Sequence, residues 1–196
     1  MSTKRNLVIV VGVPGAGKTT VITGAIEKIK KEYGKEVLLL NFGTEMLNLA
    51  IKENLVENRD QIRKLSTSIQ RDLQKRAAEE IAKKSTGSIV IVDTHALIKT
   101  NNGYLIGLPE WVVKPLSPKT VVCIEAEPEQ IATRRVTDEA RIRDGEAVSA
   151  INEHQILNRV AAISVGTLTG ATVRIIKNYD NQLESAINEL VSTLME

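Results

Sequence analysis

One local feature constrains this chain more than any other: Leu7-Val8-Ile9-Val10-Val11 runs directly into Gly12-Val13-Pro14-Gly15-Ala16-Gly17-Lys18-Thr19. A short, continuous, mostly β-branched run is what a strand buried on both faces of a parallel sheet requires. Beyond it, Val21, Ile22, Ala25, Ile26 and Ile29 recur at spacings of three and four, predicting a helix from Lys18 to about Tyr33 that ends near Gly34. Strand, glycine-rich turn and helix in that order make a phosphate loop. Its glycines let the backbone wrap closely, so that successive N–H groups and the helix dipole face a phosphate. Lys18 adds a point charge near the β- and γ-phosphates, and the Thr19 hydroxyl is a ligand for Mg²⁺.

Four further apolar runs repeat the plan. Residues 36–41 (with Val37-Leu38-Leu39-Leu40), Ile89 to Asp93, Thr120 to Ile124 and Ala171 to Lys177 read as strands, with helical periodicity between them. Between Gly43 and Lys84 there is no strand-like run and no Pro; Met46, Leu47, Ala50 and Ile51, then Ile69, Leu73, Ala77 and Ile81, predict successive helices. Thr94 to Leu108 reads as irregular, with a turn at Asn101-Asn102-Gly103, followed by a short helix from Pro109 to Lys114. Helices are also expected from Glu127 to Val136, from beyond the polar loop at 137–145 to about Thr167, and from Gln182 to Leu194. Five strands separated by helices predict an α/β fold with a five-stranded parallel sheet and right-handed crossovers. With no repeat, linker or low-complexity tract, the chain of 196 residues is expected to form a single domain over 1–196.

Composition removes several function classes. Lys and Arg number 26 against 24 Asp and Glu, too balanced for a protein that grips nucleic acid through its phosphates. Aromatic residues are only 3% of the chain, so platforms for stacking unpaired bases are poorly supplied. The single Cys123 excludes an intrachain disulfide framework and fits a reducing cytosol. No apolar run approaches the ~18 residues a membrane span needs. A soluble, cytoplasmic protein with neither nucleic-acid nor membrane partners is expected.

Asp93 ends its strand with a carboxylate at the edge of the sheet, where a second Mg²⁺ contact belongs; a strand-terminating turn acid is the plainer alternative. Arg134, Arg135, Arg141 and Arg143 cluster around the loop at 137–145. A phosphoryl group in flight spreads charge over its oxygens, and planar guanidinium donors on a closing loop suit that chemistry. Salt bridges of a solvated helix flank would use the same arginines. Arg59, Arg63 and Lys64 are placed to dock an acceptor phosphate, unless they only solvate a helix face. His95 is a candidate for the acceptor cleft or a hydrogen-bonded loop residue; His154 reads as a surface group, Cys123 as core and Trp111 as packing. No Asp-x-x-Gly follows Asp93 and no Asn-Lys-x-Asp occurs, which sets GTPases aside and leaves a small phosphoryl-transfer enzyme with a small acceptor. A nucleotide-sensing module that binds ATP, or a kinase of another small acceptor, remains the rival.

Together these residues resemble a known family. Gly12 to Thr20 (Gly-Val-Pro-Gly-Ala-Gly-Lys-Thr-Thr) is similar to the phosphate loop of nucleoside monophosphate kinases, and residues 6 to about 194 resemble an archaeal-type adenylate kinase. The resemblance also rests on Asn41-Phe42-Gly43-Thr44, Arg59 to Leu65, Val92-Asp93-Thr94-His95, Gly103-Tyr104-Leu105 with Gly107-Leu108-Pro109, Arg141 to Asp144, and Leu168 to Val173. It implies a three-layer P-loop NTPase fold with an AMP-binding helical insertion at about 42–85 and a short lid at about 137–145. It further implies Mg²⁺-dependent transfer from ATP to AMP giving two ADP, and often a homotrimer. On this resemblance ATP is held by Gly12 to Thr20, Mg²⁺ by Thr19 and Asp93, and the transferring group by Lys18, Arg134, Arg141 and Arg143. For AMP the candidates are Thr44, Arg59, Arg63, His95, Gly103, Leu105 and Gly107, the glycine-spaced loop from Gly103 to Leu108 bringing backbone groups to the ring edge. Two departures from the common bacterial and eukaryotic enzymes stand out: the long lid is absent, and so is the Gly-Phe-Pro-Arg that supplies an arginine to the AMP phosphate. Arg59 and Arg63 are the substitutes.

Overall fold

The computed structural model describes residues 6–100, 102–137 and 147–196. Strands β1 (Asn6–Gly12), β2 (Val37–Asn41), β3 (Ile89–Asp93), β6 (Thr120–Glu125) and β7 (Thr172–Lys177) form one sheet in the order β2-β3-β1-β6-β7. Every neighbouring pair is parallel. The central position of β1 follows from its composition, since Leu7 to Val11 are all fully buried. Alternation divides that strand between two cores. Leu7, Ile9 and Val11 pack with helices α2 (Phe42–Lys52), α4 (Thr67–Lys84), α5 (Glu110–Leu116) and α7 (Val148–Thr169). Val8 and Val10 face α1 (Lys18–Tyr33) and α8 (Leu183–Met195) through Val21, Ile22, Ala25, Ile29, Leu190 and Leu194. The helix–sheet–helix layering and five parallel strands agree with the predicted α/β architecture.

Between β2 and β3 the predicted helices are α2, a single turn α3 (Arg59–Ile62) and α4. Polar side chains open all three: Asn41, Asn58 and Ser66 each accept a backbone N–H of the first turn. One expectation is overturned. Residues 97–106 are not irregular but an antiparallel hairpin, β4 (Leu97–Thr100) with β5 (Gly103–Ile106), in the register Leu97↔Ile106 to Thr100↔Gly103. The sequence hid it because its apolar residues, Leu97, Ile98, Leu105 and Ile106, cluster at the open end and never alternate. Helix α6 (Pro128–Thr137) leads into the predicted lid at about 137–145, of which residues 138–145 lie outside the described ones.

Beside the phosphate loop, β6 ends in Glu125, which is only 1% exposed. Arg159 donates to it through Nε at 2.6 Å and through a second nitrogen, and Lys177 Nζ donates at 2.8 Å. Burial pushes this carboxyl up, but the two cations together outweigh that and hold it below the usual carboxylate range. Arg159 and Lys177 keep part of their length in water, so Glu125→Gln should cost about 2–3 kcal/mol rather than the full cost of stranding a buried charge. A depressed carboxyl stabilises the fold above the unfolded-state value near ~4.3 and loses that contribution as pH falls through the folded value. Urea unfolding of both proteins should therefore show a gap at pH 7 that closes toward strongly acidic pH.

Candidate active site

The phosphate loop leaves β1 at Gly12 and enters α1 through Gly17, whose φ of 82° is the left-handed conformation that glycine adopts without strain. A Cβ at Gly17 would also stand 2.2 Å from Asn178 Nδ2. Because Gly17 offers no side-chain cap, the first N–H groups of α1 are left for a ligand. Two long-range contacts fix the loop. Asn178 donates from Nδ2 to the Ala16 carbonyl at 2.9 Å, and Arg135 from Nε to the Pro14 carbonyl at 2.8 Å. Val13 and Ala16 are buried beneath the loop, whereas Thr19 and Thr20 are exposed at the start of α1.

Lys18 forms an ion pair with Asp93. Burial pushes its ammonium down to about 8, yet at neutral pH it remains largely charged. The other oxygen of Asp93 accepts from Asn41 Nδ2 at 2.9 Å, and Asn41 Oδ1 in turn accepts from Arg59 Nη2 at 2.9 Å. Asn41 Oδ1 also takes the Thr44 N–H at 3.0 Å and its hydroxyl at 3.1 Å. A continuous polar chain thus links Lys18 to Arg59. Gly43 makes room for it, since a Cβ there would stand 2.5 Å from Arg59 Nη2.

Beyond Asp93 opens a cavity of about 500 Å³ between α2, α4, β3 and the β4–β5 hairpin. Arg59, Arg63, His95, Leu105 and Gly107 line it. Thr44 is exposed and does not line the cavity, and its hydroxyl lies 3.4 Å from Arg59 Nη2. Gly103 lies in the open at the hairpin turn, with nothing near its Cβ position, and does not line the cavity. His95 opens onto this space, but desolvation by surrounding protein, helped by the Lys18 charge, pushes its imidazole down to about 4. It is therefore neutral at pH 7 and offers hydrogen bonds, not charge.

Arg134 stands beside the phosphate loop, 3.9 Å from a Cβ position at Gly17, and donates to the Asn178 carbonyl at 3.1 Å while pairing with Asp180. Arg141 and Arg143 lie outside the described residues. Sequence reasoning passed over Gln70, Arg71, Gln74 and Asn178, since an amide or arginine on a helix face or after a strand belongs to no motif, and it named Asn41 only within Asn41-Phe42-Gly43-Thr44, without a role in the site. Trp111, expected only to pack, also walls the cavity, with the Arg71 guanidinium 4.3 Å from its ring centre. His154 is buried, 3.4 Å from the Leu97 carbonyl and against Tyr104, not on the surface: the unforeseen hairpin covers it.

The Thr19 hydroxyl and the Asp93 carboxylate are both hard oxygen donors at this loop. Among the described residues no group of three or more His, Cys, Asp or Glu gathers elsewhere as a metal site. One carboxylate and a hydroxyl suit Mg²⁺, which keeps waters and takes the rest of its shell from substrate phosphates.

Comparison with known proteins agrees with this geometry. A family model described as an AAA domain matches residues 11–152. An adenylate kinase of Methanocaldococcus jannaschii is 49% identical over 191 residues, covering 97% of this chain and 99% of that protein. The chain belongs to the adenylate kinase family. A second adenylate kinase, from Methanothermobacter thermautotrophicus, is 46% identical over 188 residues, 96% of this chain and 98% of its own. Among solved structures, shikimate kinase from Acinetobacter baumannii in complex with shikimate aligns with a TM-score of 0.60 at 17% identity, covering 98% of this chain and 95% of that one. Shikimate kinase from Bacteroides thetaiotaomicron gives 0.57 at 15% identity over 97% and 98%. At such identities the likeness is one of fold, shared between this adenylate kinase family member and other P-loop kinases.

Proposed function

We propose that this chain transfers the γ-phosphoryl group of ATP to AMP, giving two ADP. The observation that carries the reading is the polar chain Lys18–Asp93–Asn41–Arg59, which joins the phosphate loop to a second, nucleotide-sized cavity. Donor and acceptor phosphates would meet where Asp93 and Asn41 now stand between the two cations. An AMP phosphate oxygen is already ionised at neutral pH, so no general base is needed; alignment, charge neutralisation and exclusion of water do the work. Lys18 leaves Asp93 for the β- and γ-phosphates, Arg59 and Arg63 take the AMP phosphate, and Arg134 with Arg141 and Arg143 meets the transferring group. Thr44 and His95 supply hydrogen bonds around the acceptor. Mg²⁺, held by Thr19 and Asp93, would supply charge neutralisation on the ATP phosphates when bound.

The same reading keeps residues 1–196 as one domain, with the acceptor insertion at about 42–85 and the lid at about 137–145. It also includes a homotrimer in the cytoplasm. Ile156, Val160, Ile163 and Leu168 on α7 are about half exposed, an apolar stripe that supports self-association. Among the described residues no helix is long and apolar enough to cross a membrane. The test is an acceptor panel with ATP as donor: AMP should give stoichiometric ADP and exceed GMP, CMP and UMP in kcat/KM. A different best acceptor would leave the P-loop kinase fold standing and remove the adenylate kinase activity.

A further inference from the structure

Two side chains from distant parts of the chain reach the back of the phosphate loop, and each is matched to one glycine. Arg135, near the end of α6, donates from Nε to the Pro14 carbonyl at 2.8 Å, and its Cγ stands 3.1 Å from a Cβ position at Gly15. Asn178, directly after β7, donates from Nδ2 to the Ala16 carbonyl at 2.9 Å, and the same nitrogen leaves no room for a side chain at Gly17. Each donor thus holds the carbonyl of the residue before its glycine. A trans peptide unit is planar, and its C=O and N–H point in opposite directions. Holding the Pro14 carbonyl behind the loop therefore aims the Gly15 N–H toward the open side, and holding the Ala16 carbonyl does the same for the Gly17 N–H. Neither N–H has a protein acceptor among the described residues, whereas the Ala16 N–H is spent inside the loop, on the Val13 carbonyl at 3.2 Å. The two braces are themselves held. Asn178 is 6% exposed; its N–H donates to the Glu125 carbonyl at 2.7 Å, and its own carbonyl accepts from Arg134 Nη2 at 3.1 Å. Arg135 is 8% exposed, with its stem packed against Gly15.

We propose that Arg135 and Asn178 are positioning residues for the donor phosphates: Arg135 presets the direction of the Gly15 N–H, and Asn178 that of the Gly17 N–H. This rests on the phosphate loop as the donor site and deepens that reading. Donors fixed in advance lose little freedom when a phosphate arrives, so the braces act on affinity for the donor and leave the acceptor cavity alone. The Arg135 Nε serves the loop from behind, a task separate from meeting the transferring group.

The test pairs each brace with its own glycine. Full-length protein labelled with 15N-glycine is compared with Arg135→Met, Arg135→Lys and Asn178→Ala, each studied well below its own melting midpoint. Lysine keeps a donor for Pro14, whereas methionine and alanine offer none. With inorganic pyrophosphate as probe, calorimetry should show the dissociation constant rising about 10-fold in Arg135→Met and in Asn178→Ala, and Arg135→Lys recovering most of that loss. KM for ATP should rise by a similar factor while KM for AMP stays within about 2-fold of wild type. In nucleotide-free protein, relaxation dispersion should detect exchange at the Gly15 amide in Arg135→Met alone and at the Gly17 amide in Asn178→Ala alone. Asn178 makes this single side-chain hydrogen bond, so Asn178→Ala keeps the test decisive where loss of the buried Arg135 prevents folding. If pyrophosphate affinity and the Gly17 amide are unchanged in Asn178→Ala, or if KM rises equally for ATP and AMP, the brace assignment is overturned while the phosphate loop keeps its role. If wild type binds neither pyrophosphate nor ATP, the donor-site reading itself falls.

Discussion

Lys18→Ala should lower kcat by about three powers of ten or more and leave the fold intact. Lys18 is the first residue of α1, and its ammonium is already desolvated at the base of the phosphate loop. A charge held there, with little water around it, interacts more strongly with a developing phosphate charge than the same charge would in water. Alanine removes the charge and restores no water molecule of equal reach. The fold should not suffer, because alanine is the best helix former and Asp93 keeps the amide of Asn41 as a partner. The measurement is ADP formation from saturating ATP and AMP, with a thermal melt of the same preparation. Near wild-type turnover in a folded variant would remove Lys18 from the mechanism and the phosphate loop with it.

Arg59→Ala should reduce kcat/KM for AMP by about 100-fold and leave KM for ATP within a few-fold of wild type. Arg59 begins the single turn α3 and reaches back over Gly43 to Asn41 and Thr44, so its guanidinium lines the acceptor cavity and is joined to Asp93 through Asn41. A planar fork there can bind a phosphate and hold it in line with the donor; losing it costs a charge-assisted hydrogen bond and the alignment together. Arg63, the residue that follows α3, also lines the cavity but is not part of the hydrogen-bonded chain through Asn41 to Asp93, and Arg63→Ala should have the smaller effect. Initial rates with varied AMP at fixed ATP, then the converse, separate the two substrates. An equal rise in both KM values would assign Arg59 to the fold of the insertion instead of the acceptor phosphate.

The main strands and helices were legible because their signals are local. Leu7 to Val11 is a strand buried on both faces and reads as one. The apolar spacing of α1 and the glycine–lysine–threonine pattern before it follow from what a tight turn around phosphate requires. The β4–β5 hairpin was missed for an equally physical reason: one end of it packs over His154 and the cavity, the other is open to water, and neither strand alternates. With the hairpin went the burial of His154 and the distance of Gly103 from the site.

Residue chemistry and local periodicity thus determined the phosphate loop, the order of strands and helices along the chain, and the cations available to meet a phosphate. Only the tertiary structure decided which of those groups meet. Asn41 and Asp93 lie far apart in sequence and become neighbours because β2 and β3 pair in the register Asn41↔Asp93. Asn178 braces Ala16 because β7 ends beside β6, and Gln74 shows its amide nitrogen to the cavity because Trp111, from another helix, holds the oxygen. An amide or an indole carries no positional signal of its own. Its polarity toward a ligand is set by the partner that folding brings to its other side.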